Sequence, residues 1–332
     1  MSGSDEPIRP FWRPVPRGLH RRALLGVGVG AALSGCARGA DGPVLKVGSQ
    51  RGGAKALTLA SGVLDGAPYR IEWSEFAAAQ PLLEAIGAGA VDVGAAGDAP
   101  FLFAFAGGAK VRAIHAARSA AGGASTALLT PAGSRITTLA DLAGARIATG
   151  RGSIGHYLVL GLLDRAGLKT SDVTLNFLSP GDSKAAFTTG AVDAWATWGS
   201  YVSLAVRDDR ARVLADGRGI LSGYGFNVSG LRSIETKRAE LADFLARYSR
   251  AQRWIGDHQG AYAAVLSRET GLDLDIAAQT VASVRGEPVP IDEAVIAEET
   301  RVLRRFQAAG VIATAPDLRA GFDTSFNDAV RA

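Results

Sequence analysis

The sequence predicts an α/β fold of two similar lobes facing each other across a binding cleft. Three observations predict it. The tetrapeptide Gly-Ala-Val-Asp occurs at Gly89–Asp92 and again at Gly190–Asp193, an offset of 101 residues. A strand candidate and a helix candidate precede each copy, Tyr69–Trp73 with Gln80–Ile86 and Val173–Phe177 with Ser183–Thr188. Small and apolar residues follow each copy. The offset exceeds a solenoid period and is about the size of one α/β unit. Each copy is expected to close a strand on Val-Asp and to place the next loop at a shared crevice.

The elements follow in order. Val44–Gly48 reads as a strand, Lys55–Val63 as a helix, and Val91–Ala95, Pro100–Ala106 and Val111–Ala116 continue the alternation. These elements make the first part of lobe 1, residues 43–129. The apolar run Thr126–Thr130, bounded by Pro131-Ala132-Gly133, reads as the first crossing. Lobe 2 then spans 130–223. It holds the strand Arg146–Thr149, a helix from about Gly155 to Ala166 stopped by Gly167, and a last strand at Ala211–Leu214. Tyr224–Val228 carries the chain back, so 224–332 completes lobe 1. Beyond Leu231 the chain reads as mainly helical. Leu241, Phe244, Leu245, Tyr248, Ala251, Trp254 and Ile255 recur at three- and four-residue spacing, the stripe of a helix packed on lobe 1.

Residues 1–35 read as an export signal. Arg21-Arg22 precedes the apolar segment Ala23–Leu33, and small residues follow. The apolar segment falls short of the roughly 20 residues a spanning helix needs. The paired arginines resemble a twin-arginine signal. Leu33-Ser34-Gly35-Cys36 looks like a bacterial lipobox, so Cys36 is expected to carry lipid, with 36–42 as the linker. That would anchor the protein on the outer face of the cytoplasmic membrane. A buried thiol after an ordinary signal is the alternative. With one cysteine in the chain, an intrachain disulfide is excluded.

Charge narrows the partners. The whole chain carries a net +4, but residues 1–35 hold five arginines and two acids, so the remainder is +1. Without a basic stripe, nucleic acid is excluded as a partner.

Ligands of open α/β sheets sit at the carboxyl ends of strands, so the loops there are the candidate site. The strongest is Thr149–His156, between a strand and a helix. Gly152 permits close backbone approach, Ser153 offers a hydroxyl, and the first-turn amides near Ile154, Gly155 and His156 suit an anion. An ordinary Ser153 N-cap is the plain alternative. The Walker spacing is absent, so this is no nucleotide loop. Gln50, Arg51 and Gly52 follow the first strand and offer donors and a cation. Gly97, Asp98 and Ala99 follow the first Gly-Ala-Val-Asp copy. Asp98 is expected to cap its helix or orient Arg51 or Arg118. Trp195 and Trp198 are candidates for an apolar wall. Phe76, Arg118 and Tyr224 complete the expected ligand contacts.

Five strings, by order and spacing, make the chain resemble the aliphatic-sulfonate-binding proteins of ABC importers, a group with taurine- and nitrate-binding relatives. They are Gly48-Ser-Gln-Arg-Gly, Glu72-Trp-Ser-Glu-Phe, Gly97-Asp-Ala-Pro, Arg151-Gly-Ser-Ile-Gly-His-Tyr and Val192-Asp-Ala-Trp-Ala-Thr-Trp. The resemblance runs from about Lys46 to Val228. It implies a type II periplasmic-binding-protein fold, a monomer that closes over a small anionic organosulfur ligand and docks on a permease driven by a separate ATPase. It implies no cofactor. By motif position it carries over Gln50, Arg51, Gly97, Asp98, Gly152, Ser153, His156, Trp195 and Trp198.

Two departures bear on the ligand. Ala77-Ala78-Ala79-Gln80-Pro81 replaces a Pro-Ala-Gly-Pro type of turn, and Gly199-Ser200 stands where the family commonly has Asp-Pro. The lost carboxylate argues against taurine and for a bulkier or aromatic tail. Taurine, nitrate or a carboxylate are the alternative ligands.

An enzyme acting on organosulfur compounds is disfavoured. Desulfinases related to this fold use a cysteine, and Cys36 lies in the lipobox. Ser153 and His156 lack a Gly-x-Ser-x-Gly elbow and an evident acid partner. Four histidines, His20, His115, His156 and His258, form no metal-ligand spacing.

Overall fold

The computed structural model describes residues 42–314 and 316–331; the leader and the lipobox Cys36 lie outside the described residues. The chain runs β1 (Val44–Gln50), α1 (Ala54–Ser61), β2 (Arg70–Phe76), α2 (Ala79–Gly87), β3 (Val93–Gly97), α3 (Asp98–Ala106) and β4 (Val111–Ser119). It continues through β5 (Thr126–Thr130), β6 (Arg146–Thr149), α4 (Ile154–Ala166), β7 (Thr174–Phe177), α5 (Pro180–Thr188), β8 (Ala194–Trp198), α6 (Ser200–Asp208) and β9 (Arg212–Asp216). The return is β10 (Tyr224–Gly230), α7 (Leu231–Thr236), α8 (Arg238–Thr270), α9 (Leu274–Val284), β11 (Gly286–Val289), α10 (Glu293–Ala308) and α11 (Asp328–Arg331).

These strands form two sheets. One has the order β11-β4-β10-β3-β1-β2, the other β7-β6-β8-β5-β9. Each sheet contains a parallel trio, β2-β1-β3 in one and β7-β6-β8 in the other. Each trio is flanked by one antiparallel strand that arrives from the opposite lobe, β10 beside β3 and β5 beside β8. The fold is thus the two-lobed type II arrangement, with two crossings.

The repeated tetrapeptide has the same local geometry in both lobes. Gly89 and Gly190 end the preceding helix at φ 75° and 73°, a left-handed turn that favours glycine. Asp92 donates its amide to Lys46 O at 2.8 Å, and Asp193 donates to Arg146 O at 2.8 Å. In return the Lys46 amide donates to Asp92 Oδ2 at 2.7 Å, and the Arg146 amide to Asp193 Oδ2 at 2.8 Å. Each aspartate fixes the start of the neighbouring parallel strand. The expectation that Val-Asp closes a strand is corrected: β3 and β8 begin just after it, and the crevice loop comes one strand later.

The first crossing also needs correction. Thr126–Thr130 is β5, an antiparallel member of the second sheet held by both β8 and β9, so lobe 2 starts before residue 130. Its five residues are all buried, which explains a continuous apolar run without alternation. Beyond β9 the chain enters the first sheet as β10, antiparallel to β3 and β4. The C-terminal part is not purely helical. It includes β11, a short edge strand on β4 that carries Pro288, a residue tolerated at edges.

The stripe on α8 is buried along Leu241, Phe244, Leu245, Tyr248, Ala251 and Ile255, against β1 and α1. The helix breaks at His258 (φ −126°), after which Tyr262 and Leu266 turn inward. On the far side, Phe306 of α10 packs against Phe103 of α3 and Tyr157 of α4, with ring centroids 6.3 and 5.2 Å away. A single C-terminal helix therefore touches both lobes.

Candidate functional site

A cavity of about 320 Å³ lies between the sheets, at the carboxyl ends of their parallel strands. Gln50 from β1, Gly97 from β3, Ser153 and Ile154 at the start of α4, Trp198 at the end of β8 and Tyr224 on β10 line it together. Six of the expected contacts thus meet in one place. Arg51 and Gly52 line an adjoining chamber of about 280 Å³ that also touches Gln50 and Trp198.

The N-termini of three helices converge on the first chamber. Ala79 and Gln80 open α2, Ser153 and Ile154 open α4, and Gly199 precedes α6. The first two amides of each helix, at Ala79 and Gln80, Ile154 and Gly155, and Ser200 and Tyr201, have no protein acceptor among the described residues. Unsatisfied first-turn amides and the positive helix end together favour an anion. No lysine or arginine lines this chamber among the described residues, and no aspartate or glutamate does. The site therefore offers dipoles in place of a counter-ion.

Ser153 is the N-cap of α4. Its Oγ accepts from the His156 amide at 3.1 Å and lies 3.3 Å from Thr149 Oγ1. The Thr149 hydroxyl donates to Ala196 O at 3.2 Å, so the Ser153 proton goes to Thr149 Oγ1, and Ser153 can offer it to a ligand only by giving up that bond.

The floor is a neutral polar chain. Asn227 Nδ2 donates to His115 Nδ1 at 3.0 Å, and His115 Nε2 donates to Ser249 Oγ at 3.0 Å. Burial, with Arg253 adding to it, pushes the His115 pKa down to about 4, so the ring is uncharged at neutral pH. Gln50 Nε2 donates to Ala95 O at 3.1 Å, which holds its side chain across the strand ends.

Several expected contacts have other places. Trp195 is buried in the core of lobe 2, between Phe187 and Tyr201. Asp98 is buried too. Its Oδ1 accepts from the adjacent Ala99 amide at 2.6 Å and its Oδ2 from the Ser222 hydroxyl; it is the first residue of α3, whose N-cap is Gly97, so it neither caps the helix nor orients Arg51 or Arg118. Ala99 is fully buried with its amide spent on the Asp98 carboxylate. Arg51 donates to Thr270 O, while Arg118 is exposed over the Tyr224 ring at 5.7 Å. Phe76 packs beside Gly48 and the core.

The remaining glycine and histidine expectations resolve into support for the loop. A Cβ at Gly152 would lie 2.4 Å from the Phe103 ring, and φ there is 66°. The Gly152 amide donates to His156 Nδ1 at 3.1 Å. Burial, then the Arg151 charge, pushes the His156 pKa down to about 4, which keeps Nδ1 an acceptor. A Cβ at Gly155 would meet Ala196 O at 2.7 Å, so its absence seats α4 against β8.

Two contacts join the lobes around the cleft. Gln80 Nε2 donates to Arg151 O at 3.1 Å, and Arg207 of α6 pairs with Asp273 beside α9. A buried carboxylate pair occupies the hinge: Glu299 of α10 lies near Asp98, beside Ser222 in the loop leading into β10. Neither Glu299 oxygen has a partner among the described residues. Burial and then Asp98 raise its pKa well above the usual carboxylate range, and burial raises that of Asp98 to about 6.

Sequence reasoning missed Gln80, His115, Asn227 and Gln252 of the wall. Gln252 alone left a signal, as a polar residue four positions after Tyr248 along the apolar stripe of α8.

The NMT1/THI5-like family profile matches residues 75–259. An aliphatic sulfonates-binding protein of Escherichia coli strain K12 is 30% identical over 237 residues, 70% of this chain and 74% of that protein. The alkanesulfonate-binding protein SsuA of Xanthomonas axonopodis pv. citri, solved bound to MOPS, superposes with a TM-score of 0.80. The match is at 30% identity and covers 86% of this chain and 99% of that one. The chain belongs to the aliphatic-sulfonate-binding family. Membership places it among the non-catalytic, extracytoplasmic substrate-binding proteins of ABC importers. The desulfurization enzyme DSZB shares the fold at a TM-score of 0.62 but only 17% identity, over 87% of this chain and 99% of that one. That likeness concerns the fold alone.

Proposed function

We propose that this family member captures an alkane- or arylsulfonate and delivers it to a membrane permease driven by a separate ATPase. The observation that carries the reading is the convergence of the α2, α4 and α6 N-termini on a chamber lined by no charged side chain among the described residues. A sulfonate is a fixed monoanion whose three oxygens only accept hydrogen bonds. Amides and hydroxyls from both lobes can meet all three, and each charge-assisted bond contributes about 1.5–3 kcal/mol. Taurine fits less well, because its ammonium would find no carboxylate among the residues lining either chamber.

Lobe closure follows from the same arrangement, since donors on α2 and on α4 must meet one head group. A melting screen of alkanesulfonates, arylsulfonates, taurine, sulfate, nitrate and matching carboxylates tests the assignment. An organosulfonate giving the largest rise supports it, and a clear preference for nitrate or an uncharged compound overturns it.

The proposal includes a monomeric protein held to the membrane through lipid on Cys36. Mass spectrometry of the mature N-terminus tests the anchor: a diacylglyceryl-modified Cys36 is expected, and an unmodified terminus beyond it refutes the claim.

A further inference from the structure

The second chamber, of about 280 Å³, is nearly as large as the first and shares Gln50, Trp198, Gly199 and Tyr248 with it. The passage is open at Gly199, where an added Cβ would meet nothing within 4 Å. The α2 and α4 N-termini that suit an anionic head border only the first chamber. The second therefore needs another occupant.

Its wall is apolar on both lobes. Leu57 of α1 and Ile255, Tyr262 and Leu266 of α8 line it from lobe 1, and Trp198 of β8 and Leu204 of α6 from lobe 2. Arg207, three residues beyond Leu204 on α6, pairs with Asp273 beside α9, next to Leu272 of the same wall. The lobes that close on a head group thus also enclose this chamber.

Three buried hydroxyls of that wall are already spent inside the protein. Tyr262 donates to Gly52 O at 3.1 Å, Thr270 to Leu266 O at 2.6 Å and Thr280 to Ile276 O at 2.8 Å. Arg51, the one charged side chain lining the chamber among the described residues, donates to Thr270 O. Carbon entering here displaces water from apolar surface and strands none of these groups.

We propose that the second chamber is a tail subsite, and that the ligand is a sulfonate carrying a long apolar tail. The inference rests on the reading that the anionic head occupies the first chamber. With the head at the α2 and α4 N-termini, the tail runs past Trp198 and Tyr248 and is covered by apolar side chains of both lobes. A short tail leaves those side chains facing water. Affinity therefore rises with tail length, because each further carbon is buried between the lobes.

Titration calorimetry with ethane-, butane-, hexane- and octanesulfonate, each below its micellar concentration, tests this. On the wild-type protein each added methylene should tighten binding about threefold until the chamber is full. Octanesulfonate should thus bind at least about thirtyfold tighter than ethanesulfonate. Leu204→Trp fills the chamber from a half-buried position on α6 and should bring that ratio below about fivefold. Leu204→Phe takes its place if the tryptophan variant fails to fold, with the ratio at least about halved. A series that binds with no dependence on length overturns this inference alone. A steep series that the folded variant leaves unchanged also overturns it, since the tail then lies elsewhere. If no member of the series binds, the sulfonate reading itself falls and this inference falls with it.

Discussion

Asp193 binds the backbone of Arg146 in the way that Asp92 binds that of Lys46, each through a reciprocal pair of amide bonds 2.7–2.8 Å long. The side chains around the two differ. Asp92 is buried and also takes the Ser233 hydroxyl at 2.8 Å and the Lys237 ammonium at 2.6 Å. Asp193 is more exposed and holds the Arg146 guanidinium at 2.9 Å.

Asp92→Ala should therefore cost more than Asp193→Ala. Removing the buried carboxylate strands an ammonium, a hydroxyl and an amide, at about 3–5 kcal/mol. Losing the exposed one should cost about 1 kcal/mol. Urea midpoints at constant slope measure both, and equal losses would contradict the difference in burial.

The hinge pair predicts a pH effect of definite sign. Asp98 and Glu299 have raised pKa values, Asp98 at about 6, so the folded state prefers them protonated. Their contribution is favourable below the usual carboxylate pKa of about 4 and is lost as pH rises through their folded values. His115 and His156, lowered to about 4, act oppositely, losing stability as pH falls below about 6.5. The wild-type profile thus mixes both signs. The difference between Glu299→Gln and wild type isolates the carboxylate. The variant should be more stable at pH 7.5, with the gain shrinking toward pH 5. A gain independent of pH would show that charge is not its cause.

Ser153 and Trp198 should separate head from tail. Ser153→Ala removes a donor and a helix cap, and should weaken every sulfonate by about 1–3 kcal/mol while costing about 1 kcal/mol of stability. Trp198→Ala should weaken aryl ligands more than ethanesulfonate, because it removes apolar contact and leaves the amides in place. Calorimetry on folded variants decides the matter; equal losses for all ligands with Trp198→Ala would make the ring a support of the cleft and nothing more.

Much of this was legible in the sequence, for local reasons. The alternating elements, the turn at Thr149–His156 and the return at Tyr224 are set by short-range pattern. Trp195 and Trp198 show the limit of that reading. Both lie on β8, three residues apart, so the two-residue period of a strand turns them to opposite faces and only one can line the cleft. Parity alone would have separated them. The clamp by Asp92 depends on a strand partner 46 residues away, and the α2 amides become part of the site only because lobe 2 faces them. Gln252 joins the wall from a helix that follows the second crossing. Such meetings belong to topology, which short-range pattern does not encode.

The central claim is that free first-turn amides at helix N-termini, not a cation, hold the head group. A crystal structure with ethanesulfonate bound tests it most directly. The account predicts sulfonate oxygens within about 3.2 Å of the Ile154 or Gly155 amide on one lobe and the Ala79 or Gln80 amide on the other. A sulfonate paired with the guanidinium of Arg51 or Arg118, away from those amides, would contradict it.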